Sequence, residues 1–234
     1  MNINDIAQMI DHSLLRPNLE EREMLEGIAL ARKYGCATVC VSPCDVERSS
    51  RLLLGSSVRV STVIGFPHGS SASKTKAFEA ETAVNDGASE LDMVLAIGRL
   101  VSADFAYVER DIRAVIDAVR GAGVVVKIIF ENCYLNRDQI VAACKISEGA
   151  GADYVKTSTG YGPAGASLDD VRLMGRSCSA AVAVKAAGGI RTLDDLLAFR
   201  AAGAKMIGTR STATILEAAV LREANGTLKL TGSS

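Results

Sequence analysis

The chain has 234 residues, 26 of them basic and 27 acidic, for a net charge of −1. Its length suits one large domain, since α/β barrels of roughly 200–250 residues fold as single units. The nearly neutral charge disfavours nucleic acid or an anionic membrane as a partner, and no apolar run approaches the ~18 residues that a membrane span needs. The start, "MNINDIAQMIDHSLL", lacks the basic and apolar regions of a secretion signal. We therefore expect a cytoplasmic protein.

Six cysteines are present: Cys36, Cys40, Cys44, Cys133, Cys144 and Cys178. Reduced thiols are the default inside the cell. The even spacing of the first three is compatible with a metal site, but "ATVCVSP" around Cys40 has the composition of a strand. The three would then not share one helical face, so we predict neither a metal nor another cofactor.

Short β-branched runs alternate with helical patterns along the chain. The predicted strands are 9–15, 37–43, 58–66, 90–98, 124–131, 152–159, 181–188 and 204–209. Between them lie helical segments: "EEREMLEGIALARKYG", "SKTKAFEAETAVNDGA", "DFAYVERDIRAVIDAVRGAG", "NRDQIVAACKISEGAGA" and "LDDLLAFRAAGA". Most of them end at glycine, as helices with a left-handed cap do. This alternation predicts βαβ units and a parallel sheet.

Eight such units of about 29 residues account for the whole length, which favours a closed (β/α)8 TIM barrel over an open doubly wound sheet. There is no linker or low-complexity tract that would divide the chain. We therefore expect a single α/β domain over residues 1–234. Its tail, about 225–234, ends in polar residues and is predicted to be flexible.

Three predicted strands each carry a lysine inside an apolar run: Lys127, Lys156 and Lys185. Strand residues alternate between the barrel interior and the helix layer. The apolar neighbours in "VVVKIIF", "DYVKTS" and "AVAVKAAGG" suit the helix layer, so each lysine should point inward. In "ELDMVL" the same alternation turns Asp92 inward. The sequence thus predicts three lysines and one aspartate that converge inside the barrel.

A buried salt-bridge network that only satisfies itself is one interpretation of this cluster. Function is the other, and we favour it because barrel enzymes place their chemistry at the C-terminal ends of the strands. Desolvation and a second ammonium nearby lower the pKa of a lysine. A neutral lysine can attack a carbonyl and form a Schiff base, and Asp92 is placed to move protons, directly or through water.

Glycine-rich turns follow the last two predicted strands. Gly188 and Gly189 come after the seventh, and Gly208, Arg210 and Ser211 after the eighth, each before a helical segment. These loops are the usual phosphate site of the TIM barrel, where backbone N–H groups and helix N-termini favour an anion. A third glycine-rich loop, 157–165, follows strand six and is placed to cover a substrate. A lone histidine is more often structural, so we assign no catalytic role to His12 or His68.

The chain resembles the deoxyribose-phosphate aldolase family. The matching segments are "IDHSLLRP", "VCVSP", "VIGFPHG", "ELDMVLAIG", "VKIIFENCYL", "DYVKTSTGYGPAGASLDDVRLM", "VKAAGGIRT" and "IGT". The resemblance implies a class I aldolase that reversibly cleaves 2-deoxy-D-ribose 5-phosphate to acetaldehyde and D-glyceraldehyde 3-phosphate without a metal. It further implies a place in deoxyribonucleotide and deoxyribose phosphate catabolism, and a homodimer.

Carried over by motif, Lys156 of "KTSTG" is the Schiff-base nucleophile. Lys185 of "VKAAGG" lowers the pKa of Lys156, and Asp92 of "ELDMV" relays protons. Lys127 contacts the substrate or belongs to the network. The residues that fall at the family's phosphate site are Gly160, Gly188, Gly189, Arg191, Gly208 and Ser211.

Three features depart from the family pattern. Ser13 stands where threonine is common, Arg210 stands where a small residue is expected, and the chain ends without the tyrosine that some members carry. Two further hypotheses stay open: a Schiff-base aldolase or transaldolase-like enzyme for another sugar phosphate, and a barrel that binds a phosphorylated ligand without catalysis. A metal-dependent aldolase is disfavoured because neither histidine lies in a ligand cluster.

Overall fold

A computed structural model describes residues 2–228, and its centre is a closed parallel barrel of strands β1 to β8 in chain order. The strands are Ile10–Leu14 (β1), Thr38–Val41 (β2), Arg59–Ile64 (β3), Glu90–Val94 (β4), Val125–Ile129 (β5), Tyr154–Lys156 (β6), Ala183–Ala187 (β7) and Ala204–Thr209 (β8). The last strand pairs with the first, with Ile10 opposite Ile207. All eight predicted strands are present, and the predicted TIM barrel is confirmed.

Helices surround the barrel and join its strands. They are Ile3–Ala7 (α1), Glu21–Tyr34 (α2), Val46–Leu52 (α3), Ser73–Asn85 (α4), Ile97–Val101 (α5), Phe105–Ala118 (α6), Arg137–Ala150 (α7), Leu168–Ser177 (α8), Leu193–Ala201 (α9) and Thr212–Ala224 (α10). Two short 3-10 helices, Pro43–Asp45 and Asn132–Tyr134, follow β2 and β5. The five quoted helical segments correspond to α2, α4, α6, α7 and α9.

Local sequence explains where these helices begin and end. At the start of α7, the side-chain oxygen of Asn136 accepts a hydrogen bond from Gln139 N–H, and the side-chain oxygen of Gln139 accepts one from Asn136 N–H. This reciprocal pair is a capping box. Gly35 after α2 and Gly151 after α7 have φ of 64° and 95°, the left-handed conformation that glycine adopts without steric cost.

The short helix α1 is absent from the predicted elements. Its side chains Ile6 and Ala7 are fully buried, and its Ile3 N–H donates to Glu223 of α10 at 3.1 Å. The predicted fourth strand also ends early, at Val94, because α5 begins at Ile97. Five-residue helices carry too few turns to show a helical period, which is why α1 and α5 left no pattern.

The predicted flexible tail lies only partly within the described residues. Thr227 N–H and Leu228 N–H both donate to the carbonyl of Arg222, and Leu228 is buried. Residues 229–234 lie outside the described part of the chain. Among residues 2–228, no helix combines the length and apolar character that crossing a membrane requires.

Alternation along the strands separates two environments, as predicted. Leu91 and Met93 of β4 and Ile128 of β5 are buried among the apolar residues of the core. The intervening residues carry the charges, and strand register sets them side by side: Asp92 is opposite Lys127, and Lys156 is opposite Lys185.

Candidate active site

Asp92 is the centre of a buried charge network inside the barrel. Its Oδ1 accepts a hydrogen bond from Lys127 Nζ at 2.8 Å. Its Oδ2 accepts from both Lys156 Nζ and Lys185 Nζ, each at 2.5 Å. All four side chains are almost fully buried. The four charged groups that the sequence predicts to converge do lie together.

Two further carboxylates complete this network, and neither was singled out from the sequence. Lys185 Nζ also donates to Asp11 of β1, whose other oxygen accepts from the hydroxyl of Thr38. Glu90 of β4 lies 2.6 Å from Lys127 Nζ. A signal for Glu90 was available, because it has the same strand parity as Asp92. Asp11 stands in the first strand among mixed polar and apolar residues, where parity says little.

The network shifts the pKa of Lys156 and the pKa of Lys185 in opposite directions, although the two residues are register partners. Burial lowers the pKa of Lys156 most; Asp92 opposes this shift and the Lys185 ammonium adds to it, so the net pKa is below the ordinary value. Burial acts in the same direction on Lys185, but the carboxylates of Asp11 and Asp92 outweigh it and raise its pKa. Lys156 is therefore the easier of the two to deprotonate.

Asp92 and Lys127 are held in their charged forms. Burial would raise the pKa of Asp92, but Lys127, Lys156 and Lys185 overcome it and hold that pKa well below its usual range. For Lys127, burial is outweighed chiefly by Asp92, and the pKa is raised. Lys156 is thus the one network lysine whose pKa moves toward neutrality, which is what an amine nucleophile requires.

A cavity of about 420 Å³ lies over the C-terminal ends of the strands. Lys156 is the only lysine among its lining residues. Seven of the predicted site residues line it: Lys156, Gly160, Gly188, Gly189, Arg191, Gly208 and Ser211. Asp92, Lys127 and Lys185 do not line it, and Lys127 forms ion pairs with the carboxylates of Asp92 and Glu90 instead.

The glycines of this cavity occupy positions where a side chain would be strained by a positive φ or crowded by its neighbours. Gly188 and Gly189 have φ of 87° and 83°. A Cβ on Gly188 would lie 2.9 Å from Gly165 Cα, and a Cβ on Gly208 would lie 3.0 Å from the Cβ of Ala187. Without side chains, this part of the cavity wall allows an anion to approach the backbone closely, beside the start of α10.

Cationic side chains surround the same opening. Arg191 follows β7, Arg210 follows β8, and Arg16 follows β1, and all three line the cavity. Arg16 was not predicted; it is paired with Glu23 at 2.5 Å. Because a guanidinium binds phosphate or carboxylate through parallel N–H groups, this opening suits an anionic ligand.

Neither histidine takes part in the network. His12 is buried, its Nδ1 lies 2.8 Å from the hydroxyl of Thr212, and burial lowers its pKa to about 4. It is thus neutral and structural at physiological pH. His68 lies in the loop after β3, beside a separate opening.

Among residues 2–228, one group of side chains has the spacing of metal ligands: Asp11, Cys40 and Asp92. The Lys185 ammonium bonds to both carboxylates of this group. Burial also raises the pKa of the Cys40 thiol to about 12, whereas metal coordination needs the thiolate. The donor set is therefore neutralised by a lysine and suits an internal ammonium better than a metal ion.

Comparison with known proteins gives concordant matches. The family model described as DeoC/LacD family aldolase matches residues 6–218. A deoxyribose-phosphate aldolase of Thermoanaerobacter sp. (strain X514) is 47% identical over 214 residues, which are 91% of this chain and 96% of that protein.

Solved structures agree. A putative deoxyribose-phosphate aldolase from Coccidioides immitis aligns with a TM-score of 0.89 and 40% identity, over 93% of this chain and 87% of that one. The deoxyribose phosphate aldolase from Aeropyrum pernix, described as having a unique tetrameric structure, aligns with a TM-score of 0.86 and 32% identity, over 93% and 92% of the two chains.

Proposed function

The chain belongs to the DeoC/LacD family of aldolases and is therefore a carbon–carbon lyase, and on that premise we propose that it reversibly cleaves 2-deoxy-D-ribose 5-phosphate to acetaldehyde and D-glyceraldehyde 3-phosphate. The reaction runs through a Schiff base on Lys156. One observation carries this proposal: Lys156 is the lysine that both reaches the cavity and has a lowered pKa.

The first step joins the enzyme to the open-chain sugar. The neutral amine of Lys156 adds to the C1 aldehyde, and the resulting carbinolamine loses water to give a protonated imine. Asp92 Oδ2 lies 2.5 Å from Lys156 Nζ. At that distance Asp92 can take the proton from the attacking nitrogen and return one to the departing hydroxyl, directly or through water.

The second step breaks the bond between C2 and C3. The C3 hydroxyl gives up its proton, the C2–C3 electron pair moves into the iminium to form an enamine, and D-glyceraldehyde 3-phosphate leaves. Protonation of the enamine at C2 and addition of water then release acetaldehyde and restore the lysine. We assign these proton transfers to Asp92 because it is the acid/base group in contact with Lys156.

The other two network lysines act on Lys156 indirectly, one through its charge and the other through Asp92. Lys185 keeps its proton and adds the positive charge that disfavours protonation of Lys156. Lys127 pairs with Asp92 and Glu90 and holds Asp92 in its place. We therefore assign Lys127 to the network and not to substrate contact.

The phosphate group belongs among the glycine loops. Gly160, Gly188, Gly189 and Gly208 line the cavity here, so we expect their backbone to face the anion, with Ser211 and Arg191 adding polar contacts at the same wall. Arg210 lines this wall too, so we expect it to strengthen phosphate binding where a smaller residue would not.

A Schiff-base aldolase or transaldolase-like enzyme for a different sugar phosphate is the second candidate. The observation that favours it is the group of three arginines at the opening, Arg16, Arg191 and Arg210, which suits a substrate with more negative charge than one phosphate. Turnover on a panel of mono- and bisphosphorylated sugars separates the two. Deoxyribose 5-phosphate should give the highest kcat/KM if the main proposal is right.

Borohydride trapping tests the imine directly. Incubation with deoxyribose 5-phosphate and sodium borohydride, followed by peptide mass mapping, should place a reduced adduct on the peptide that contains Lys156. Lys156→Ala should abolish both adduct and turnover, while Lys205→Ala, which removes an exposed lysine of β8, should change neither. Substrate binding without any adduct would mean that the lysines only bind an anion.

We also propose a single-domain homodimer that acts in the cytoplasm in the breakdown of deoxyribonucleotides. Large apolar side chains such as Leu54 and Phe78 are 74% and 69% exposed, which leaves apolar surface for a second copy to cover. Light scattering coupled to size exclusion gives the assembly; a tetramer, as described for the Aeropyrum pernix relative, would correct the dimer.

A further inference from the structure

A second, apolar pocket lies directly beside the candidate active site. It has a volume of about 250 Å³. Its apolar and aromatic lining includes Leu15, Pro17, Val63, Phe66, Pro67 and Tyr161. Leu15, Pro17 and Tyr161 line the larger cavity as well. These three residues therefore form a wall shared by the two spaces, and we call them the shared wall.

Tyr161 is held across the barrel mouth by contacts with two other loops. Its hydroxyl donates to the carbonyl of Leu15, in the loop after β1. Its ring packs edge-on against Phe66 in the loop after β3, with centroids 5.4 Å apart and planes at 89°. The side chain is nevertheless 47% exposed, so the ring is positioned by these contacts and not by deep burial.

The backbone of Tyr161 is fixed from the other side by a buried carboxylate. Tyr161 N–H donates to the Thr159 hydroxyl oxygen at 3.0 Å. Thr159 in turn donates through its N–H and its hydroxyl to the carboxylate of Glu131, which is buried after β5. Glu131, Thr159 and Tyr161 thus link β5, the loop after β6 and the loop after β1.

The two spaces on either side of the shared wall differ in chemistry. The larger one presents Arg16, Arg191, Arg210 and bare glycine backbone, and it contains the Lys156 amine. The smaller one contains one acidic side chain, Glu79, whose carboxylate accepts a hydrogen bond from Gly65 N–H at 2.7 Å. A phosphorylated chain suits the first space and an apolar chain suits the second.

We propose that Tyr161 is a specificity-determining residue: its ring separates these two spaces and confines the acceptor aldehyde to the cationic one. The apolar pocket behind it is a site for the alkyl chain of an unphosphorylated aldehyde, open to that chain when the ring is removed. This inference rests on the proposed aldolase function and deepens it, because it states which acceptors the same Lys156 enamine reaches.

Carbon–carbon bond formation is the reaction to test. Acetaldehyde is the donor, and its Lys156 enamine adds to the carbonyl of either D-glyceraldehyde 3-phosphate or hexanal to give a 3-hydroxyaldehyde, with no oxidant or reductant. The measured quantity is the ratio of kcat/KM for hexanal to kcat/KM for D-glyceraldehyde 3-phosphate. Tyr161→Ala should raise this ratio at least about tenfold, the scale on which pocket shape discriminates between apolar chains.

Matched variants separate the ring from its other contacts. Tyr161→Phe loses the bond to Leu15 but keeps the ring, so its ratio should stay within about threefold of the wild type. Tyr134→Ala removes another exposed tyrosine, one that lines neither pocket, and should leave the ratio unchanged. Leu15→Ala opens the same wall from its other side while keeping the backbone carbonyl, and should shift the ratio in the direction of Tyr161→Ala.

The outcomes distinguish this inference from the proposed function. A wild-type enzyme that makes no deoxyribose 5-phosphate from acetaldehyde and D-glyceraldehyde 3-phosphate would refute the proposed function. A wild type that makes it, together with Tyr161→Ala and Leu15→Ala variants that lose both acceptors equally, would refute the partition alone. If Tyr161→Ala does not fold, the Leu15→Ala ratio decides: a rise supports the partition and no change overturns it.

Discussion

Lys156 and Lys185 show how one residue type takes opposite pKa shifts in adjacent positions. Both are buried, both touch the same Asp92 oxygen, and they are register partners. The main difference is Asp11, which forms an ion pair with Lys185 but not with Lys156. This additional ion pair helps to raise the pKa of Lys185 and leaves Lys156 as the amine that loses its proton more easily.

Removal of the Lys185 charge should move the pH dependence of the reaction. In Lys185→Leu, Lys156 loses a neighbouring ammonium and no longer shares Asp92 with it, and both changes raise the pKa of Lys156. Since only neutral Lys156 attacks the aldehyde, the rising limb of kcat/KM against pH should shift to higher pH. Activity at pH 7 should be nearly lost and partly recovered in more alkaline buffer.

A pH series of initial rates measures this effect. Lys205→Leu, at an exposed position of β8, is the control and should keep the wild-type profile. Near-normal turnover of Lys185→Leu at pH 7 would remove Lys185 from the proposed role.

Asp92 is the residue where proton transfer can be tested separately from imine formation. Asp92→Asn keeps the shape of the side chain but removes the carboxylate that accepts protons, so turnover should fall by at least ~10²-fold. Circular dichroism checks the fold, since the change leaves buried lysines with less counter-charge. A loss below tenfold with the fold intact would transfer the acid/base role to water or another group.

At the scale of elements, a buried ion pair outside the network joins the helix layer to β4, the strand that carries Asp92. Lys76 of α4 donates to Asp111 of α6 at 2.6 Å and to the carbonyl of Val94, the last residue of β4, at 2.9 Å. Ser73 donates to the other Asp111 oxygen. Asp92 lies two residues before Val94 in β4, so this ion pair fixes the end of that strand against α4 and α6.

Lys76→Met should destabilise the fold by about 3–5 kcal/mol, since it leaves Asp111 buried without its counter-charge. Urea unfolding measures the loss. The double variant Lys76→Met/Asp111→Leu should regain most of it, because no isolated charge remains. As a control, Arg120→Ala breaks the exposed ion pair with Asp117 and should lower the free energy of unfolding by no more than about 1 kcal/mol. A loss in Lys76→Met that is as small as the loss in Arg120→Ala would contradict the expectation.

The same scale explains what the sequence could predict. β4, β5 and β7 carry a charged residue between apolar neighbours, so the inward direction of Asp92, Lys127 and Lys185 follows from the alternation of side chains along a strand. Asp11 could not be chosen from β1, since its neighbours His12 and Ser13 are polar too. Tyr161 depends on three loops that meet only in space, and no spacing along the chain shows that the loops after β1, β3 and β6 are neighbours.

At the scale of the whole molecule, the barrel closes through its first and last strands and through its terminal helices α1 and α10. β8 pairs with β1, with Asp11 opposite Gly208, and α1 reaches α10 through the bond from Ile3 to Glu223. Closure is what unites the network, because Asp11 and Lys185 are 174 positions apart and lie on strands that only a complete barrel brings together.

The network also divides by sign between the two halves of the barrel. Its carboxylates, Asp11, Glu90 and Asp92, all come from β1 to β4, and its lysines, Lys127, Lys156 and Lys185, all come from β5 to β7. Either half paired with a copy of itself would bury like charges without counter-ions, which costs several kcal/mol per ion. Each half is therefore electrostatically matched to the other and mismatched to itself, a built-in preference for the correct pairing of half-barrels during folding.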